Sequence, residues 1–366
     1  MVKIHKIDPN ADTIIKLKYP LTNFAVWDPP DEEALDAKDS ASPIDLPTEE
    51  RSTEASSVAS SKTGDSIHET IEYHVSSSVL KLSSSYFSRC MRNFKEGIPN
   101  ENDGRYHVSC KDWNEEAFLI LLNALHFRTR RVPRSLPLDM LAKVAQLIEY
   151  YRCLEAIEIW TNMWIENLKK STPIPEDFSQ DLMRWMYVAS IFELPEEFTR
   201  TTVIAIRRSR NIQSLVWNPP FARYVDRIEN ASKEAIDTVV AQLHQLLDKY
   251  RNPKYECPRE DCSFECGSIH YGALTKGMDS LSLLDPYPQA PLPGLSVEDI
   301  CTKVRNIKAP KWIPIRNTGG HIGIQATFPS KSYPEHSCLL SDELVSIVDG
   351  VLNTITGLQL TDFARI

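Results

Sequence analysis

The strongest constraint on the fold is the stretch IEYHVSSSVLKLSSSYFSRCM at positions 71–91, in which the hydrophobic pattern changes from alternating to helical. Ile71, Tyr73 and Val75 alternate with polar residues, and this alternation predicts a half-buried β-strand. Ser76 follows where a helix N-cap is needed, because its hydroxyl can accept an unpaired backbone N–H. The apolar residues after it recur at three- and four-residue steps, which predicts one broad helical face. That face consists of Val79, Leu80, Leu82, Tyr86, Phe87, Cys90 and Met91.

Similar patterns flank this stretch and indicate one domain over residues 10–168. Two short alternating runs within 13–27 and another at 106–110 predict further strands. The first run consists of Ile15, Leu17 and Tyr19, and the second of Phe24 and Val26. Helical spacing follows, with Asn114 at the expected N-cap of the first helix. A few strands followed by helices predict an α+β domain in which helices flank a small sheet.

Residues 28–66 interrupt this domain. The segment has no aromatic residue, four prolines and many Ser, Asp and Glu residues. Such a composition cannot bury enough apolar surface to offset the entropy of ordering the chain, so we predict a disordered acidic insertion. Residues 28–70 carry a net charge of −9, which equals that of the whole chain. The rest of the chain is balanced, which argues against a general nucleic-acid binder.

Residues 176–366 are predicted to be a mainly helical C-terminal region. Helical spacing recurs through this part, with Pro195 near the start of one helix. Ser296 and Ser341 each precede an acidic residue near the third following position, which is typical of a helix N-terminus. Arg207, Arg208 and Arg210 form a local basic patch that we interpret as a solvated helix end.

Composition narrows the cellular setting. The chain has no run of eighteen apolar residues and no apolar segment after its first residues, so we expect neither a membrane span nor secretion. Its eight cysteines are irregularly spaced, which favours reduced thiols or metal ligands over a disulfide scaffold. The expected compartment is the cytoplasm or the nucleus.

One region carries residues capable of chemistry. Zinc takes four Cys or His ligands in a tetrahedron, and the set Cys257, Cys266, His336 and Cys338 would be sufficient for one structural site. Cys262 and His270 are alternates, because both lie four positions from Cys266 and share its face if this segment is helical. Two other interpretations stay open: buried cysteines that act as small hydrophobic residues, and a Cys/His nucleophile.

The order of elements in residues 10–168 resembles a BTB/POZ domain. In that family a short strand leads into a helix of H-x-x-x-L…S-x-x-F character, and a further strand and helix follow. The matching residues here are His74, Val79 or Leu80, Ser85 and Phe87, then Tyr106 to Cys110 and Phe118 to Leu122. Asp12 stands before the first alternating run, where the family has an aspartate. The remainder is similar to helical C-terminal regions attached to such domains in filamentous-fungal proteins.

The resemblance implies a non-enzymatic protein–protein interaction module that forms homodimers or docks a protein partner. It also implies a cullin ubiquitin-ligase adaptor as one alternative, since some BTB domains have that role. A zinc-dependent structural or enzymatic protein built around residues 257–338 is the other alternative. We expect no catalytic residue and no cofactor apart from that zinc ion, because the chain has no paired-acid, triad or phosphate-loop signature.

Overall fold

The chain is a mixed α+β protein with a small four-stranded sheet near its N-terminus and a mostly helical remainder. The structure is a computed structural model that describes residues 2–21, 70–210, 212, 222–258, 262–290, 292, 294–310 and 338–363. The predicted insertion at 28–66, the run at Phe24 and Val26, and His336 lie outside the described residues. Among the residues described, no helix combines the length and apolar character that a membrane crossing needs.

The described residues divide into two compact units. The first runs from the N-terminus to Thr201, and the second is formed by residues 202–212 and 222–362. The first unit therefore extends past the 10–168 segment that resembles a BTB/POZ domain. Its elements, with the boundary inside the last helix, are β1 (Lys3–Lys6), β2 (Thr13–Lys18), β3 (Ile71–Val75), α1 (Ser77–Ser83), α2 (Ser85–Asn93), β4 (Tyr106–Lys111), α3 (Glu115–Leu125), α4 (Leu138–Tyr151), α5 (Glu158–Ser171), α6 (Gln180–Ile191) and α7 (Pro195–Arg208).

The sheet has the strand order β1-β3-β2-β4. The central strands β2 and β3 are antiparallel, whereas β1 lies parallel to β3 and β4 lies parallel to β2. Ile71, Tyr73 and Val75 are all buried, so the alternation predicted for β3 is confirmed. Tyr19, predicted to continue the first alternating run, instead stands after β2 with φ 53° and an exposed ring.

The helix predicted after Ser76 consists of two helices. Ser84 breaks it, because its hydroxyl accepts the N–H of Phe87 and donates to the carbonyl of Tyr151. Ser76 does precede α1, but its hydroxyl makes no capping hydrogen bond. Leu82 was predicted to lie on the buried face. That prediction is wrong, since Leu82 is 87% exposed and α1 ends one residue after it.

An aromatic cluster joins the sheet to the helices of the first unit. The Phe87 and Tyr151 rings stack with centroids 4.7 Å apart, and Phe118 stacks on the Tyr151 ring at 5.5 Å. Tyr73 from the central strand meets Phe118 edge-on at 5.0 Å. All four side chains are at most 2% exposed, so this contact holds β3, α2, α3 and α4 in one core. Asn114 caps α3 as predicted, since its side chain accepts the N–H of Ala117.

The second unit is helical and has its own core. Its long helix α8 (Ala222–Arg251) supplies an apolar face that includes Val239, Leu243 and Leu247, and α9 (Ser263–Ser280) packs Leu274 and Met278 against it. Ser296 and Asp299 form the capping box predicted for the next helix, whereas the helix that follows has its N-cap at Leu339 rather than at Ser341. The helices are α8 (Ala222–Arg251), α9 (Ser263–Ser280), α10 (Val297–Arg305) and α11 (Leu340–Thr354).

Candidate metal centre

Three cysteines from separate parts of the second unit meet at one point. Cys257 follows α8, Cys266 lies in the first turns of α9, and Cys338 precedes α11. Their sulfur atoms all lie within 4.8 Å of one another, and the Cys257 and Cys338 Sγ atoms are 3.6 Å apart. These are three of the four ligands predicted for zinc, and 81 positions separate Cys257 from Cys338.

Local structure places each thiol. After α8, the side chain of Asn252 accepts the N–H of Lys254 and its carbonyl accepts that of Tyr255, which turns the chain toward α9. The N–H of Cys257 then donates to the hydroxyl of Ser263 at 3.0 Å, so Cys257 is tied to the start of α9. Cys338 is positioned by the adjoining helix α11, whose first residue Leu340 is fully buried in the core of the unit.

Both alternate ligands lie beside this group. The Cys262 Sγ is 3.7 Å from the Cys257 Sγ, and Cys262 stands at the N-cap of α9. His270 is one turn beyond Cys266 on the same helix, and its Nδ1 is 3.5 Å from the Cys266 Sγ. The segment is helical, which is the condition under which residues four positions apart share a face. Three of the eight cysteines of the chain thus converge, and a fourth, Cys262, lies beside Cys257.

Burial affects the protonation of these thiols. Cys257 and Cys266 are buried, and Cys338 is half-buried. Burial raises the pKa of the Cys266 thiol to about 12 and also raises the pKa of the Cys338 thiol. A reactive cysteine needs a lowered pKa, so this environment is opposite to that of a thiolate nucleophile. With a metal ion present the same thiols lose their protons and become ligands.

A cavity borders the cysteine group on one side. A cavity of about 420 Å³ lies beside Cys338, and its lining includes Tyr255, Glu256, Lys249 and Glu343. The phenol oxygen of Tyr255 lies 3.4 Å from the Cys266 Sγ, where its O–H can donate to a thiolate. The cavity therefore borders Cys338, and Tyr255, which also lines it, can donate a hydrogen bond to the Cys266 sulfur.

The other cysteines are scattered. Cys153 and Cys301 are buried among the core residues of the chain. Cys90 and Cys110 are half-buried, and the Cys110 thiol lies 3.6 Å from the carbonyl of Lys16. This is the ordinary use of cysteine as a small hydrophobic residue, and it differs from the convergence at Cys257.

The basic patch at the end of α7 is engaged within the second unit. Arg207 donates to the carbonyl of Leu352, and Arg210 pairs with the carboxylate of Asp299 at 3.0 Å.

In comparisons with known proteins, no family model, no curated protein and no solved structure matches this chain.

Proposed function

We propose that the first unit is a protein–protein interaction module of BTB/POZ type through which this chain associates with a second copy of itself. The observation that carries the proposal is the order and pairing of its elements. β2 and β3 pair, two short helices follow β3 at once, β4 returns beside β2, and helices complete the unit. This order is the one on which the family resemblance rests.

The packing of the matched residues supports the same proposal. Leu80 and Phe87 are at most 1% exposed, and Phe118 is fully buried against Tyr151. Of the two candidates for the family leucine, Leu80 is buried and Val79 only partly so. Leu80, Phe87 and Phe118 therefore act as core residues, whereas the matched Ser85 is exposed.

The edge strand β1 offers a surface for association. Within the described residues β1 pairs with β3 alone, so the far side of its backbone faces no other strand. Val2 and Ile4 are 51% and 50% exposed there. An exposed edge with apolar side chains is a template for pairing with a strand of another chain. A second copy, presenting the same edge, would form a twofold contact.

Light scattering on the full-length protein tests this proposal. We expect a species of twice the 41.7 kDa chain mass at micromolar concentration. Ile4→Lys should shift it to the monomer, because burying a lysine at a dimer contact is unfavourable. Leu82→Lys is the matched control, since Leu82 is 87% exposed on α1 and lies off the edge strand, and it should leave the dimer intact. A wild-type chain that stays monomeric at every concentration would refute self-association.

A further inference from the structure

We propose that the second unit binds one structural zinc ion through the thiolates of Cys257, Cys262, Cys266 and Cys338. This site is independent of the proposed interaction module, and its ligands all lie in the second unit.

The sulfur geometry fits a tetrahedral ion. A zinc–thiolate bond of about 2.3 Å places neighbouring sulfurs about 3.8 Å apart in a tetrahedron. The Cys257 Sγ lies 3.6 Å from the Cys338 Sγ and 3.7 Å from the Cys262 Sγ, and Cys266 completes a group within 4.8 Å of Cys257 and Cys338. The thiols of Cys257, Cys266 and Cys338 need only a small contraction around an ion at their centre. Cys262 lies beside Cys257 but outside this group of three, so its side chain must turn toward the ion.

The donor set selects the metal. Thiolates are soft ligands, which favour zinc and disfavour calcium and magnesium, because those ions prefer oxygen. Hydrophobic cysteines have no reason to converge, as the scattered Cys153 and Cys301 illustrate. Three convergent sulfur atoms from three segments, with a fourth beside one of them, can supply the ligands that a tetrahedral zinc site needs.

Cys262 is the better fourth ligand than His270. It caps α9 with φ −142° and ψ 28°, outside the regular helix, so its side chain can turn toward the ion without disturbing α9. The hydrogen bond from the Cys257 N–H to Ser263 holds the adjacent backbone in place. His270 is fully buried within α9, and its ring packs 5.0 Å from that of Tyr250.

The ion would hold together segments that are far apart in sequence. Cys257 and Cys338 are separated by 81 positions, and each adjoins a helix of the same core. Because the thiols must lose their protons on binding, zinc affinity should fall as the pH is lowered. The ion thus stabilises the junction of α8, α9 and α11 and takes no part in a reaction.

Metal analysis of the full-length protein, expressed with added zinc and purified under reducing conditions, is the decisive experiment. We expect one zinc per chain in the wild type and less than a fifth of that in Cys266→Ser. Cys90→Ser, a half-buried cysteine of the first unit, is the control and should retain full zinc. Zinc absent from the wild type, or lost equally from both variants, would refute the site.

Two further measurements cover variants that fold poorly. Chelation of the wild-type protein should release the zinc and lower the melting temperature of the second unit, and added zinc should restore it. Cobalt substitution should give the visible bands of a tetrahedral thiolate site, and these should weaken in Cys262→Ser but persist in His270→Gln. The reverse pattern would overturn the assignment of Cys262. A Cys257–Cys338 disulfide in the reduced preparation, detected by mass spectrometry, would overturn the zinc site itself.

Discussion

The carboxylate of Asp12 binds both the backbone N–H and the hydroxyl of Ser77, 65 positions later in the chain, at 2.7 and 2.6 Å. One residue at the start of β2 therefore caps α1, a role for which Ser76 is the local candidate. The preceding N–H, that of Ser76, donates to Nε2 of His126 at 3.1 Å. The N-terminus of α1 is held by two side chains that are distant in sequence.

Replacement of Asp12 by Asn should destabilise the first unit by about 1 kcal/mol, because an amide nitrogen cannot accept the hydroxyl hydrogen of Ser77. Urea denaturation at pH 7, followed by far-UV circular dichroism, measures the loss. Asp112→Asn is the control: Asp112 is exposed after β4 at φ 62°, a conformation that asparagine tolerates. Equal stability of Asp12→Asn and wild type would contradict the capping role.

Acid should weaken the same contact. Burial acts to raise the pKa of Asp12, but the hydrogen bonds from Ser77 and Thr13 outweigh it, so the pKa is lowered. Burial also lowers the pKa of His126, which accepts from Ser76 in its neutral form. A lowered folded-state pKa means that the stabilisation is complete above the unfolded-state pKa and is lost as the pH falls through the folded-state value.

We therefore expect the free energy of unfolding to decline first below the ordinary histidine range and again below the ordinary aspartate range. Asp12→Asn should flatten the second decline and leave the first. An unchanged acid profile in that variant would show that Asp12 does not contribute to it.

Ser84→Ala should cost about 1–3 kcal/mol, because it leaves the buried carbonyl of Tyr151 and the N–H of Phe87 without this hydroxyl. Ser85→Ala, one position along on the exposed side, should change stability by less than about 0.5 kcal/mol. Thermal unfolding of the two variants measured side by side gives the comparison. Equal losses in the two variants would contradict the role of the Ser84 hydroxyl at the junction of α1 and α2.

Two glycines on α9 should respond oppositely to alanine. At Gly277 a Cβ would lie 2.4 Å from the Cγ2 of Ile307, so Gly277→Ala should destabilise the second unit by about 1–3 kcal/mol through overpacking. At Gly272 no atom lies within 4 Å of the added Cβ, so Gly272→Ala should stabilise it by about 0.5–1 kcal/mol through helix propensity. Chemical denaturation distinguishes the signs, and a stabilising Gly277→Ala would contradict the packing of α9 against Ile307.

Sequence alone was sufficient for features whose partners are near in the chain. The alternation at Ile71, Tyr73 and Val75 sets a strand, and Asn114 caps α3 three residues before its donor. The strand β1 was not expected, because four residues with mixed exposure leave no hydrophobic period to detect. Ser84 looked like one helical residue among several, and its partner Tyr151 is 67 positions away.

For the candidate site, sequence supplied the residue types and tertiary structure supplied the selection. Cysteine and histidine content between 257 and 338 predicted metal ligands, but no spacing rule could choose among six residues. The packing of α8, α9 and α11 brings Cys338 to Cys257 and leaves Cys301 in the core. Local patterns determine which backbone conformation a segment favours, whereas convergence of distant side chains depends on how the helices pack, and that is decided by the whole core.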